Sequence, residues 1–252
     1  MPETLIPRTT TRIAGKIPLH GRFDTFDARR PLIFTIRGAF PDPTLMHRLP
    51  DVEPEADVII ADIPGMHSPH LPDPGVATFA QAFDEVLATH FPDRRILLLG
   101  LSLGGVVALA MEAAAAAAVV AVDPPLVAGP ELWPMTARLR QALRETEDPY
   151  LAEWIWNIFG VSEAAQEARD HRWVLNTRRP GVVVIAGEPL EPERPIEHLP
   201  GLIRAEDRAA LNEHPLHTFT AMGSGHNVVR DAAKVIAAAT RVGLQMLPAQ
   251  AS

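Results

Sequence analysis

The 252-residue chain contains no cysteine, which excludes disulfide bonds, catalytic thiols and thiolate metal sites. It has no apolar run that is long and charge-free enough to span a bilayer, and its first residues contain no apolar signal core. A net charge of −8 argues against nucleic acid or an anionic membrane surface as a partner. We therefore expect a cytoplasmic protein with no membrane span and no nucleic-acid partner.

Apolar segments typical of buried strands alternate along the chain with segments at helical spacing. Thr78 and Gln81 form a capping box that predicts the start of the first helix. Buried strands separated by helices predict an α/β fold with a mostly parallel central sheet and helices on both faces. The predicted elements are a leading hairpin at 9–26, strands at 31–38, 56–65, 94–100, 119–125, 179–189 and 216–222, and helices at 78–91, 103–117 and 227–246.

The stretch 129–179 interrupts this alternation, because it contains only helix-compatible sequence. An insertion between consecutive strands of such a sheet lies at the end where ligands normally bind. We interpret it as a helical lid on a core formed by 1–128 and 180–252, with Trp154 and Trp156 as substrate-binding residues. The alternative is a helical subdomain that only adds to the packing.

The segment "LLLGLSLGGVVALAM" at 97–111 places one serine between glycines, where a buried strand is followed by a helix. Gly100, Ser102 and Gly104 form a G-x-S-x-G pattern, whose small neighbours allow a sharp turn that exposes the serine hydroxyl. The following helix directs its positive end at the same point. We interpret Ser102 as a nucleophile, and the alternative is a glycine-rich turn with an incidental serine.

A serine nucleophile needs a base that accepts its proton. His226 lies in "GSGHNVVRD", on a glycine-rich loop between the last predicted strand and the last predicted helix. Of the ten histidines it alone occupies such a position, so we predict that it is the base. His67 and His70 have an H-x-x-H spacing, but they lie on a proline-rich loop with no evident third ligand, and we expect no metal site there.

With these motifs the chain resembles the α/β-hydrolase family over about 10–247. "GLSLGG" is similar to the family's nucleophile elbow, "GSGHNVV" to its histidine loop, "IRGAF" to its oxyanion loop and "DIPGMHSP" to its D-x-P-G-x-G-x-S segment. The resemblance implies that the backbone N–H groups of Leu103 and Ala39 bind an oxyanion. It also implies that Gly38, Phe40 and His67 lie beside the substrate.

Two positions depart from the family's pattern. Arg37 precedes Gly38 where the family often has His-Gly, and His67 replaces the second glycine of D-x-P-G-x-G-x-S. The first change leaves an oxyanion donor available, because the donor is a backbone N–H whatever the side chain. The second change puts a bulkier polar group close to the mouth of the expected pocket.

The acid that would orient His226 has three candidates. In the family it commonly follows the strand that corresponds to "GVVVIAG", where Glu188 and Glu191 are available, although the usual spacing falls on Leu190. In thioesterase domains and some lipases it lies one strand earlier, and "VVAVDPPL" is similar to that version, with Asp123 at the strand end. We favour Asp123 and keep Glu188 and Glu191 as alternatives, since geometry decides a triad.

These features together predict a serine hydrolase that cleaves a carboxylic ester or thioester, with a small-molecule acyl substrate and no metal or organic cofactor. The apolar insertion and the acidic chain favour an apolar acyl group that is not strongly anionic. An acyltransferase, a C–C bond hydrolase or a cofactor-free peroxidase with the same catalytic residues is an alternative, as is a non-catalytic binding protein of this fold. A homodimer is compatible with the sequence.

Overall fold

The computed structural model describes residues 9–39, 53–65, 68–129, 133–188 and 201–249. The strands within these ranges are Thr10–Ala14 (β1), Ile17–Gly21 (β2), Leu32–Ile36 (β3), Asp57–Ala61 (β4), Ile96–Leu101 (β5), Ala116–Val122 (β6), Val127–Ala128 (β7), Arg169–Asp170 (β8), Gly181–Ala186 (β9) and His217–Ala221 (β10). Eight of them form one sheet in the order β1-β2-β4-β3-β5-β6-β9-β10, and the short strands β7 and β8 pair separately. In the large sheet the β1–β2 and β2–β4 pairs are antiparallel, and all other neighbouring strands are parallel.

Helices cover both faces of the sheet, which confirms the predicted α/β architecture. One face packs Phe34 against Phe83 and Val106 from two helices, and the other packs Leu97 against Ile236 from the last helix. Because both faces are covered, the central strands are apolar along their whole length. The helices are Val76–His90 (α1), Leu103–Ala110 (α2), Trp133–Glu145 (α3), Pro149–Phe159 (α4), Ala205–Glu213 (α5), Val228–Asp231 (α6) and Ala233–Gln245 (α7).

Helix α2 is shorter than its alanine-rich sequence predicts. It ends at Ala110 instead of 117, and the alanines from Ala116 onward belong to β6. The Asp84 carboxylate on α1 accepts hydrogen bonds from the backbone N–H groups of Glu112 and Ala113, each at 2.8 Å. A backbone bound in this way has left the helical pattern, so a tertiary contact overrides the helix propensity of alanine.

Two other predicted helix boundaries also differ. Helix α1 begins at Val76 with Gly75 at its N-cap, so the capping box expected from Thr78 and Gln81 is wrong. The predicted final helix is divided into α6 and α7 at Ala232, whose φ of −139° and ψ of 44° are not helical. Helix α5 has a highly charged sequence without the apolar periodicity that would predict it.

Helices α3 and α4 form the middle of the segment between β6 and β9, where helices are predicted. The Tyr150 ring of α4 packs so closely on Gly65 that a Cβ atom there would overlap it, and burial raises the pKa of the Tyr150 hydroxyl. The Asn157 amide donates to the carbonyl of Pro74 at 3.0 Å. These contacts hold α4 against the segment that follows β4. The division into a core and a lid at 129–179 stays a prediction.

No helix in the described ranges combines the length and the apolar character needed to cross a membrane.

We expect the buried imidazole of His171 to make the stability of the protein depend on pH. Its Nε2 donates to the carbonyl oxygen of Ile158 at 2.9 Å. Burial lowers the pKa of His171 from its ordinary value of 6.5. The unfolded chain therefore takes up a proton near pH 6.5 while the folded chain takes it up only at lower pH, and stability is lost as the pH falls below 6.5.

We predict that His171→Gln makes the free energy of unfolding less dependent on pH between about 7 and 5. The glutamine amide can still donate to Ile158, but it takes up no proton on unfolding. Urea unfolding across this range measures the difference, with His217→Gln on the exposed end of β10 as the control that keeps the wild-type slope. Equal slopes for wild type and His171→Gln would contradict the prediction.

Candidate active site

Three polar side chains meet at the carboxyl edge of the parallel strands. Ser102 directly follows β5, Asp123 directly follows β6, and His226 lies on the loop between β10 and α6. This is the edge at which ligands bind in open α/β sheets. The sheet order places β5, β6 and β9 side by side, so residues far apart in sequence converge there.

Ser102 occupies a strained turn, as the G-x-S-x-G pattern predicts. Its φ of 52° and ψ of −122° lie outside the conformations that side chains favour. A Cβ atom on Gly100 would overlap the carbonyl of Gly104, and one on Gly104 would overlap the carbonyls that end β3. The Ser102 N–H donates to the Val122 carbonyl at 2.8 Å, which fixes the turn against β6. Only glycine allows helix α2 to pack this closely on β3 and β5.

A continuous chain of hydrogen bonds joins the three side chains. His226 Nε2 lies 3.0 Å from Ser102 Oγ, and its Nδ1 lies 2.7 Å from Asp123 Oδ2. The His226 side chain is 17% exposed and that of Asp123 is fully buried. With a proton on Nδ1 donated to the carboxylate, Nε2 carries the free lone pair and can accept the serine proton.

The Asp123 carboxylate receives two further hydrogen bonds from the backbone. The N–H of Ala186 donates to Oδ1 at 3.3 Å, and the N–H of Leu202 donates to Oδ2 at 2.8 Å. Asp123 has a positive φ of 42°, a conformation that aspartate adopts more readily than most residues. Its own N–H donates to the Val184 carbonyl at 2.7 Å. Backbone N–H groups of β9 and of the segment before α5 thus offset the cost of removing the Asp123 carboxylate from water.

The other two acid candidates lie differently. Glu188 joins the site through its main chain, since its N–H donates to the Ser224 carbonyl at 3.0 Å and its carbonyl accepts from the Gly201 N–H at 2.9 Å. Glu191 lies outside the described residues. Of the two described carboxylates, the structure brings that of Asp123 onto His226 Nδ1.

The expected oxyanion donors border Ser102. A Cβ atom on Gly38 would lie 3.2 Å from Ser102 Cβ, so the β3 loop passes directly beside the serine, and the next residue, Ala39, is buried. Leu103 is the first residue of α2, where a backbone N–H has no acceptor within the helix. Both N–H groups therefore belong to segments that adjoin the nucleophile.

Arg37, which directly precedes Gly38, stands where the family often has a histidine. Its Nη1 lies 3.0 Å from Asp62 Oδ1, and its backbone N–H donates to the Ala61 carbonyl at 3.2 Å. The other carboxylate oxygen of Asp62 lies 2.9 Å from His20 Nε2. The ion pair directs the guanidinium onto the segment after β4 and ties the loop after β3 to that segment.

The remaining predicted substrate contacts have separate locations. Trp154 is fully buried, with its ring centroid 5.7 Å from that of Phe159, and the Trp156 ring is covered by the Arg169 guanidinium at 4.4 Å. Trp154 therefore packs within the protein while Trp156 is partly exposed, and the contact of either with substrate stays a prediction. Phe40 and His67 lie outside the described residues.

His70, the other histidine of the H-x-x-H pair, contacts helix α4. Its ring stacks on that of Tyr150 with centroids 4.0 Å apart, and its Nε2 lies 3.2 Å from Asp148 Oδ2. In the part of the chain that the structure describes, no group of three or more potential metal-ligating side chains is found.

The sequence does not predict the backbone groups that bind the Asp123 carboxylate. The N–H donors of Ala186 and Leu202 carry no residue-type signal, because any residue other than proline supplies one. The pairing of Arg37 with Asp62 is likewise invisible along the chain, although both residues directly follow strands. A rule that polar residues at the ends of adjacent parallel strands meet would have suggested that pair.

The chain belongs to the alpha/beta hydrolase family, whose model matches residues 19–239, so the resemblance found in the sequence is confirmed. No curated protein sequence matches the chain.

Several solved structures share this fold. The thioesterase domain from the curacin biosynthetic pathway has a TM-score of 0.58 at 18% identity, over 92% of this chain and 98% of that one. Carboxylesterase CesB from Bacillus subtilis has a TM-score of 0.63 at 13% identity, over 96% and 92%. A proline iminopeptidase-related protein from Thermus thermophilus has a TM-score of 0.59 at 19% identity, over 96% and 99%.

We predict that Gly104→Ala lowers the free energy of unfolding by about 3 kcal/mol, because the new methyl group overlaps backbone carbonyls that cannot move independently. Gly105→Ala is the matched control in the same helix. Its Cβ atom would lie 3.2 Å from the Gly100 carbonyl, and the gain in helix propensity offsets this small strain. Urea unfolding of both variants measures the contrast, and similar losses in the two would contradict the close-packing argument.

Proposed function

We propose that this protein is a serine hydrolase that cleaves a carboxylic ester or thioester through an acyl-enzyme on Ser102. The observation that carries the proposal is the hydrogen-bond chain from Ser102 Oγ through His226 to the buried carboxylate of Asp123, with spacings of 3.0 and 2.7 Å. Such a chain gives a hydroxyl an adjacent base and gives that base an orienting acid. The esterase and thioesterase neighbours of the same fold support this class of reaction.

In the first half of the reaction, Ser102 Oγ attacks the acyl carbonyl carbon while His226 Nε2 accepts the hydroxyl proton. The carbonyl oxygen becomes an oxyanion, for which the backbone N–H groups of Leu103 and Ala39 are the proposed donors. Asp123 keeps the proton on Nδ1 and stabilises the imidazolium that forms. When the tetrahedral intermediate collapses, Nε2 returns the proton to the departing alcohol or thiol, and an acyl-serine ester is left.

In the second half, a water molecule replaces the leaving group. His226 Nε2 accepts a proton from this water as its oxygen attacks the acyl-serine carbonyl, and then returns the proton to Ser102 Oγ. The products are a carboxylic acid and the regenerated enzyme. Every proton transfer in these steps passes through His226 Nε2.

The acyl part of the substrate is proposed to lie between the carboxyl edge of the sheet and the inserted helices. The contact of Tyr150 with Gly65 and the bond from Asn157 to Pro74 hold α4 beside the loop after β4. The buried residues of that helix, which include Ile155 and Ile158, pack in the apolar core. This composition favours an apolar acyl group.

We predict that Ser102→Ala abolishes turnover of acyl esters and thioesters of graded chain length, because it removes the hydroxyl that lies on His226 Nε2. Stoichiometric labelling by a fluorophosphonate probe should disappear with it. The free energy of unfolding should change by less than about 1 kcal/mol, because the backbone turn is retained. Ser162→Ala, in a turn of the inserted segment, is the control that keeps turnover and labelling.

Two results would overturn the proposed function. Turnover that persists in Ser102→Ala would show that Ser102 is not the nucleophile. A folded wild-type protein that neither reacts with the probe nor cleaves any ester in the panel would favour a binding protein of this fold.

We predict that Asp123→Asn lowers kcat on one activated ester by a factor on the order of 10⁴, as in the well-studied serine protease triad, because the amide neither fixes the tautomer nor stabilises the imidazolium. Glu188→Gln keeps the main-chain bonds to Ser224 and Gly201, so its kcat should stay within about threefold. Circular dichroism verifies folding of both variants. A large loss for Glu188→Gln with a near-normal Asp123→Asn would reverse the assignment of the acid.

A further inference from the structure

We propose that Arg208 is a positioning residue that holds the Asp123 carboxylate against His226. Arg208 lies on α5 and touches none of the three side chains Ser102, His226 and Asp123 through the bonds of its guanidinium. It acts instead on the two backbone segments that bind the carboxylate. This inference rests on the function proposed above and assigns a further residue to the same site.

The Arg208 guanidinium joins two segments that approach Asp123 from different directions. Its Nη2 donates to the Ala186 carbonyl at 2.8 Å and to the Glu188 carbonyl at 3.4 Å, both at the end of β9. Its Nε donates to the Ile203 carbonyl at 3.1 Å, just before α5. The planar guanidinium donates from separate nitrogens to both segments at once, and the single ammonium nitrogen of a lysine cannot reproduce this geometry.

The same two segments supply the backbone donors to the carboxylate. Ala186 accepts from Arg208 through its carbonyl and donates to Asp123 Oδ1 through its N–H. The N–H of Leu202, next to Ile203, donates to Oδ2, the oxygen that also binds His226 Nδ1. The separation of the two segments therefore sets the position of the carboxylate relative to the imidazole.

Gly201 shows how tightly this arrangement is packed. A Cβ atom at Gly201 would lie 2.8 Å from Arg208 Nη2 and 2.8 Å from the Glu188 carbonyl, closer than side-chain carbons approach such atoms. Glu188 in turn donates its N–H to the Ser224 carbonyl at 3.0 Å, on the loop that carries His226. Arg208 is thus connected both to the segments around the acid and to the loop of the base.

Arg179 provides a matched arginine away from the site. It also donates to several backbone carbonyls, namely those of Ala116 at 2.6 Å, Ala113 at 2.9 Å and Met111. These carbonyls lie just before β6 and at its first residue, at the opposite edge of the sheet from Ser102. Loss of either guanidinium removes buried carbonyl partners, but only loss of Arg208 should move the acid.

The test compares Arg208→Gln with Arg179→Gln on one activated ester. We expect Arg208→Gln to lower kcat by about 10- to 100-fold through misplacement of the acid, while KM stays within about twofold because Arg208 does not contact substrate. Arg179→Gln should lower the stability of the fold but leave kcat unchanged.

Further variants of the same cluster test the role of the guanidinium. Arg208→Lys should recover part of the loss in kcat, and Gly201→Ala, whose methyl group crowds Arg208 Nη2, should cause a similar loss in kcat. In an Asp123→Asn background, Arg208→Gln should add no further loss, because the two changes act through one group.

A second readout is independent of turnover. The His226 Nδ1 proton, bound to Asp123, should give a far-downfield proton NMR signal in the free protein, and Arg208→Gln should shift or broaden it while Arg179→Gln leaves it unchanged. An unchanged signal in Arg208→Gln, or a loss of kcat that adds fully to that of Asp123→Asn, would overturn the positioning role. If the wild type cleaves no ester, the proposed function fails, while the NMR comparison still decides the role of Arg208.

Discussion

The buried carboxylate of Asp123 is the group on which the geometry of the site depends. A charge removed from water needs several hydrogen bonds to remain there, and this one receives them from His226 and from the backbone of Ala186 and Leu202. Each donor belongs to a different segment of the chain. The carboxylate therefore connects the ends of β6 and β9, the segment before α5 and the loop that carries His226. A change in any one of these segments alters the position of His226.

The turn at Ser102 imposes a second constraint, which is steric. The serine has a positive φ because α2 leaves β5 abruptly, and α2 can do so only where Gly104 allows it to touch the carbonyls at the end of β3. Those carbonyls adjoin the loop of Gly38. The strain at Ser102 is thus maintained by the same packing that brings the loop of Gly38 beside it, so one close contact fixes both segments.

Two arginines hold the backbone segments that surround Ser102, His226 and Asp123. Arg37 binds Asp62 and so ties the loop of Gly38 to the end of β4, while Arg208 binds carbonyls of the segments around Asp123. In both cases the guanidinium contacts a neighbouring segment of the protein, which leaves the apolar character of the proposed acyl pocket intact. The family's usual histidine before Gly38 is replaced here by a residue that is paired with a carboxylate.

The sequence alone predicted the alternation of strands and helices in the core, the glycine-flanked turn at Ser102 and the place of His226 in the chain, because each has a local signal: apolar periodicity, paired glycines, or a position between the last predicted strand and the last predicted helix. It predicted neither α5 nor the break at Ala232, and it left Asp123, Glu188 and Glu191 as alternatives for the acid. Only the tertiary structure brought Asp123 onto His226, and only it ended α2 early through Asp84. The physical reason is the same in both cases: contacts between residues distant in sequence, many of them to backbone groups, depend on how strands are ordered in the sheet and leave no pattern along the chain.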